Sequence, residues 1–322
     1  MTGTLPLWRL LLALGAALWL AACATGGAAD PRAIEVAPGV YLLRGAGGEI
    51  SPANRGRVGN SGFIVGTTGV LAIDTGTSYH QGQQLLAEIA RVTDKPVRRV
   101  LITHTRQEFL FGAAAFRERG IPVQMQRQAA LLMAARCEGC LKTLKRVLGD
   151  EEMSGSAVVT PDLLFDESLA LDVIGRPVRL LTFGHSSGPG DTAVFDEQGG
   201  VLFAGGLLDQ GYVPDVQDSD LPGWHAALSA LRKLPVRTVV PGHGPATKAQ
   251  AIDTVERYLS QLEARMRELI DAGAALSEAP DQAGLPEFAA WEQYDNIHRR
   301  NASIVYLRLE REQLFRPSRE TP

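Results

Sequence analysis

Residues 100–112 read Val-Leu-Ile-Thr-His-Thr-Arg-Gln-Glu-Phe-Leu-Phe-Gly, from Val100 through His104, Arg106, Glu108 and Phe109 to Gly112. An apolar, β-branched run passes directly into a polar segment, the pattern of a buried strand whose end delivers side chains into a loop. Three other segments follow the same plan. They are Gly69-Val70-Leu71-Ala72-Ile73-Asp74-Thr75-Gly76, Gly184-His185-Ser186-Ser187-Gly188-Pro189-Gly190-Asp191-Thr192, and Val240-Pro241-Gly242-His243-Gly244. Each sets a His or Asp at a strand end or in a Gly-rich loop, so segments far apart in sequence can converge on one sheet edge.

In this order, and spanning residues 60–244, the four segments resemble the metallo-β-lactamase-like hydrolases. The His104 stretch is similar to that family's Thr-His-x-His-x-Asp-His-x-x-Gly signature. The Asp74 stretch resembles the strand whose Asp buttresses the metal-bearing loops. The His185 and His243 stretches resemble the Gly-His-[Ser/Thr]-x-Gly-Asp block and the Pro-Gly-His-Gly loop. The resemblance implies an α+β fold, a four-layer αββα sandwich, with a helical C-terminal extension. It also implies two zinc ions about 3.5–4 Å apart, which generate a hydroxide and clamp the charge of a tetrahedral intermediate.

Against that signature the chain keeps His104, His185 and His243 but changes four positions. Arg106 stands for the second His, Glu108 for the Asp, Phe109 for the third His, and Gly206 for the bridging Asp of a Leu-Phe-x-Gly-Asp segment (here Leu202-Phe203-Ala204-Gly205-Gly206). A guanidinium cannot lose its proton to become a ligand. At ~5 Å from a divalent ion it would repel by about 6–7 kcal/mol at an effective dielectric of 20. The usual two-metal mechanism is therefore not expected.

Three arrangements stay open. His104, His185 and His243, with Glu108 in reach, hold at most one zinc and a water, for hydrolysis of an ester, thioester or similar bond. Alternatively the pocket is metal-free and Arg106 offers a fixed cation to a small, anionic ligand. In the third, His185 or His104 works with Glu108 as a metal-free acid–base pair. Asp74 and Asp191 are expected to fix loop geometry. His80, His225 and His298 match no ligand position and read as surface or packing residues. Arg55, Tyr79, Tyr212 and Trp224 are candidate pocket-wall residues that nothing singles out.

The ends of the chain add context. Residues 1–22 carry one positive charge, Arg9, then an apolar run ending Leu20-Ala21-Ala22-Cys23, the form of an export signal. That ending resembles a bacterial lipobox, which implies lipidation of Cys23, a tether over residues 23–32, and anchoring on the periplasmic face of the outer membrane. Residues 33–250 then form the hydrolase-like domain and 251–322 the helical extension. The remaining cysteines, Cys137 and Cys140, are an even pair in an exported chain, for which a disulfide is expected, with redox chemistry or metal binding as alternatives.

The stretch from Tyr294 to Glu310, with Val213-Pro214-Asp215 and Gly223-Trp224, resembles exported zinc metallohydrolases associated with quinoprotein dehydrogenase and sulfur-oxidation systems. That resemblance implies a periplasmic redox partner, with the chain as an accessory or binding protein. The net charge of −4 without a basic stripe argues against nucleic acid. The membrane is expected to be reached only through the lipid anchor.

Periodicity predicts helices over Gly82–Val92, Ala113–Arg119, Arg127–Leu148, Trp224–Leu231, Ala249–Ala272 and Trp291–Glu310. Strands are predicted at Arg98–Thr103, Val123–Met125, Ser168–Val173, Val178–Phe183, Thr192–Phe195, Val201–Phe203 and Thr238–Val240, besides the four short runs between Ile34 and Asp74.

Overall fold

Strand side chains alternate between two faces, and here both faces are apolar because both are covered. The computed structural model describes residues 31–315. Strands β1 (Ile34–Ala37), β2 (Val40–Leu43), β3 (Ser61–Val65), β4 (Val70–Ile73), β5 (Val97–Leu101), β6 (Val123–Gln126) and β7 (Leu163–Phe165) form one sheet in sequence order. Pairing is antiparallel from β1 to β4 and parallel from β4 to β7. The second sheet runs β12 (Thr238–Val240), β11 (Val201–Phe203), β10 (Thr192–Asp196), β9 (Val178–Thr182), β8 (Leu169–Leu171).

The period of two sorts each strand between layers. In β4, Leu71 and Ile73 face the second sheet, where they meet Val194, Val201 and Phe203 in one core cluster. Val70 and Ala72 face the other way, onto helices α1 (Tyr79–Val92), α2 (Gln107–Leu110), α3 (Ala113–Glu118) and α4 (Arg127–Leu148). In the second sheet Ala193, Phe195 and Leu202 turn outward onto α5 (Leu221–Leu231), α6 (Gln250–Asp271) and the C-terminal helices α7 (Ala279–Gln282) and α8 (Arg299–Leu314). The result is the αββα sandwich, with α6 and α8 inside the outer core cluster.

Three predicted elements moved for local reasons. The helix expected to begin at Gly82 begins at Tyr79, because Ser78 accepts from the Gln81 amide as its N-cap. The helix expected to begin at Trp224 begins at Leu221, because Asp220 accepts from the Gly223 amide as its N-cap. The helix expected over Trp291–Glu310 starts only at Arg299, after a π-turn over Tyr294–His298. Gln293 is left-handed (φ 66°), and the Glu292 backbone bonds to Gly211 and Val213 instead of to a helix. Strand β7 was not predicted.

The export signal, Cys23 and most of the tether lie outside the described residues. Among the described residues no helix is long and apolar enough to cross a membrane.

At one end of β3 sits a buried ion pair. Arg176, on the β8–β9 connection, donates through Nε (2.8 Å) and Nη2 (2.5 Å) to the two carboxylate oxygens of Asp196. Its Nη1 donates to the Pro38 carbonyl at 2.8 Å, and so ties the second sheet to the β1–β2 turn of the first. The other end of β3 faces the candidate site.

Candidate functional site

Asp74 follows β4 in a left-handed conformation (φ 54°), costly for a non-glycine residue. The turn aims its carboxylate at Thr103, at the end of β5. Asp74 accepts from the Thr103 amide (2.9 Å) and hydroxyl (2.8 Å). Burial pushes its carboxyl up to about 7, against these hydrogen bonds. Because the Thr103 hydroxyl donates to Asp74, it accepts from His104 Nδ1 at 2.7 Å. His104 Nε2 then carries a lone pair, and it is buried without a hydrogen-bond partner. Burial, with Arg106 and His243 nearby, holds His104 well below the usual histidine range.

His243 is also buried, on the loop after β12. Asp209 Oδ1 accepts from its backbone amide (2.9 Å) and from ring Nδ1 (2.8 Å). Its Nε2 stands 3.4 Å from Glu108 Oε1, an ion-pair distance without hydrogen-bond geometry. Burial disfavours the imidazolium, but Asp209 and Glu108 outweigh it and raise His243 to about 9. Tyr212 stacks flat on the ring, centroids 4.2 Å apart.

Between the two histidines lies Phe109. Its ring is 4.4 Å from that of His104 and 5.3 Å from that of His243, and it is fully buried. It packs so closely on Gly59 that a Cβ there would sit 2.6 Å from the Phe109 ring. Gly206 is similarly enclosed: a Cβ would lie 2.9 Å from His104 Cδ2 and 3.0 Å from Asp191 Oδ2.

The structure therefore brings His104, Arg106, Glu108 and His243 into one cluster and leaves His185 out of it. His185 is exposed, with Nε2 2.6 Å from the Asp218 carbonyl. Behind it, Asp191 accepts from the Ser187 hydroxyl (2.5 Å) and burial pushes its carboxyl up to about 6. Among the described residues, no group of three or more His, Cys, Asp or Glu side chains is arranged to hold a metal ion.

Arg106 is a cation held in place by an ion pair. Its Nη1 is 3.0 Å from Asp215 Oδ2, and Nη2 donates to the Asp215 carbonyl at 2.8 Å. Arg300 of α8 shares the same carboxylate at 2.6 Å. A half-buried guanidinium needs a partner, and Asp215 supplies it. Glu108 and Asp209 lie in the same cluster, so the two guanidiniums and the raised His243 are matched by three carboxylates.

Apart from His104, Phe109 and Asp209, which lie behind the wall, these groups open onto a cavity of about 450 Å³. Arg106, Glu108, Asp215, His243 and Arg300 line one side, and Ile50, Val58, Leu132, Leu144 and Val147 the other. Cys137 and Cys140 also line it, as free thiols rather than the expected disulfide. They sit one turn apart inside the continuous helix α4, where Cβ atoms three residues apart lie ~5–6 Å from each other, against ~3.8 Å for a bridge.

Of the other singled-out residues, Tyr212 is in the cavity, while Trp224 is fully buried and donates to the Leu207 carbonyl. Tyr79 bonds to Glu118 and Arg55 to Glu152, both outside the cavity. His225 lies between Glu256 and Glu263, and His298 bonds Tyr258 and the Ala283 carbonyl. Sequence reading missed Asp209, which no spacing links to His243, and Asn301. Asn301 accepts from the Val216 amide (3.1 Å) and donates to the Pro214 carbonyl (2.6 Å), so α8 fixes the loop that presents Asp215.

Comparison with known proteins agrees with this architecture. A linear primary-alkylsulfatase of a Pseudomonas strain is 24% identical over 229 residues, 61% of this chain and 43% of that protein, so the chain spans less than half its length. A metallo-beta-lactamase family protein of Thermus thermophilus superposes with a TM-score of 0.62 at 20% identity, over 87% of this chain and 95% of that one. The inverting sec-alkylsulfatase of a Pseudomonas species gives 0.62 at 20% identity, over 91% and 52%. A metallo-beta-lactamase of Pontibacter korlensis gives 0.59 at 21% identity, over 71% and 99%. At these identities the structural likeness speaks for the fold. The family model of the metallo-beta-lactamase superfamily, whose members typically bind zinc, matches residues 54–243. The chain belongs to the metallo-beta-lactamase superfamily.

Proposed function

We propose that this chain uses the hydrolase scaffold without the two-metal mechanism, as a binding or accessory protein for a small amphiphilic anion. The observation that carries the reading is the Phe109 ring, set between His104 and His243 where the family places a third histidine. Phe109 and Gly206 offer no donor, His185 is directed to the Asp218 carbonyl, and Arg106 adds a cation to the same cluster. This donor set does not fit a pair of zinc ions.

The cavity suits an ionic head and an apolar tail. Arg106 and Arg300 offer guanidinium donors to an anion that competes with Asp215, while Leu132, Leu144 and Val147 offer apolar surface. The names of the alkylsulfatase relatives describe ligands of that kind, an alkyl chain bearing a sulfate. Export, lipidation at Cys23, outer-membrane anchoring and service to a periplasmic redox system remain part of the proposal on the sequence alone.

The unpartnered Nε2 of His104 favours a second reading, a single zinc that draws in His243 and Glu108, displaces the proton His243 otherwise carries, and supports ester or thioester hydrolysis. Elemental analysis of protein purified without chelators separates the two. The first reading expects well under one equivalent of any transition metal, with octyl sulfate binding in calorimetry that weakens in Arg106→Ala. Near-stoichiometric zinc, lost in His104→Ala, would establish the second reading instead.

A further inference from the structure

The metal-site reading leaves unused two sulfur atoms on the wall of the same cavity. Cys137 and Cys140 both line it from α4, one turn apart. They differ in their surroundings. Cys137 is 1% exposed and packs in the core with Met133, Leu141 and Leu144, whereas Cys140 is partly exposed at the cavity surface.

We propose that Cys140 is a thiol–disulfide exchange site for low-molecular-weight disulfides that enter the cavity, with Cys137 as the second thiol. Accessibility selects Cys140 as the attacking sulfur, and burial reserves Cys137 for the second step. The electrostatics run the same way. The Cys137 thiol one turn away lowers Cys140, against the cost of its burial, while the Cys140 thiol donates to the Arg136 carbonyl at 3.6 Å. The neighbouring Cys140 and burial push Cys137 up. A thiolate at near-neutral pH beside a protonated neighbour is the asymmetry that exchange requires.

The chemistry balances. The Cys140 thiolate attacks one sulfur of RSSR, forming a Cys140–SR bond and releasing RS⁻, which takes up a proton. Cys137, on giving up its proton, attacks the Cys140 sulfur; the Cys137–Cys140 bond forms and the second RS⁻ leaves. The small disulfide is reduced by two electrons and the dithiol oxidised by two. Closing the bridge requires the two Cβ atoms to approach from helical spacing, so one turn of α4 along the cavity must deform.

The test is independent of which small molecule occupies the cavity. Reduced full-length protein is equilibrated in glutathione buffers of increasing oxidised fraction, trapped with iodoacetamide and digested with trypsin. Both cysteines fall in one peptide, Cys137-Glu138-Gly139-Cys140-Leu141-Lys142, apart from Cys23. Wild type is expected to give the internally bridged peptide. Cys137→Ser, or Cys137→Ala should the serine unfold the core, is expected to accumulate the glutathione adduct on Cys140. Cys140→Ser is expected to react at least about tenfold more slowly. A peptide that stays a dithiol across the series, or equal adduct formation in the Cys137 and Cys140 variants, would overturn the proposal.

Discussion

The two ends of β3 each carry buried charge, and they handle it differently. At one end Arg176 and Asp196 form a bidentate pair, with a third guanidinium nitrogen bonded to Pro38 and the Gly199 amide bonded to Asp196. At the other, Arg106, Glu108, Asp209, Asp215, His243 and Arg300 form a cluster that opens onto a cavity and leaves two imidazole nitrogens unpartnered. The first arrangement is closed and has nothing left to bind. The second keeps ion pairs on the wall of a solvent-accessible space and a buried His104 lone pair behind them, which stability alone does not require. Satisfied burial marks structure, and unsatisfied burial beside a cavity marks function.

The largest effect expected on that contrast is at the closed pair. Arg176→Met strands Asp196 and should cost about 3–5 kcal/mol in urea unfolding, while Arg176→Met with Asp196→Leu recovers most of it. Octyl sulfate affinity per folded molecule should not change. A cost under about 1 kcal/mol would remove the distinction between the two ends.

The open cluster should reveal itself in pH dependence. His243 is raised in the folded state to about 9, from 6.5, so its stabilisation is fully present below 6.5 and lost as pH rises through 9. Asp74 and Asp191, raised by burial, have the same sign, but their effect is largely complete by pH 7. Melting temperature is therefore expected to fall between pH 7 and 9.5 in wild type, by roughly 1–3 kcal/mol of stability, and to stay nearly flat in His243→Gln. Equal slopes would show that the imidazole is not held charged.

Two smaller effects sharpen the picture. Asn301→Ala removes bonds to Pro214 and Val216 and should cost about 1–2 kcal/mol. Asp215→Asn releases Arg106 and Arg300 from their shared carboxylate, and should tighten octyl sulfate binding severalfold in calorimetry. Weaker binding would mean that Asp215 positions the guanidiniums rather than competing with the ligand.

The fold was legible because its four strand-end blocks are local patterns, each readable within about ten residues. The Asp74 buttress was legible for the same reason. The charge partners were not. Asp209 reaches His243 across 34 residues, and Asp215 reaches Arg106 across 109. Neither distance leaves a periodic trace. Counting cysteines suggested a disulfide because parity ignores geometry, and the interior of α4 holds the pair at helical spacing. Gln293 hid a break in the C-terminal helix, since a left-handed glutamine looks like any other helix former in sequence.

The packing around Phe109 and Gly206 constrains the order in which this chain can change. An aspartate at 206 would bring its Cβ to 2.9 Å from the His104 ring before it could offer a carboxylate to anything. A side chain at 59 is barred while Phe109 holds its place at 2.6 Å. A donor at 206 therefore meets a steric barrier before a chemical reward, whereas a histidine at 109, smaller than the phenyl ring it replaces, meets none from Gly59.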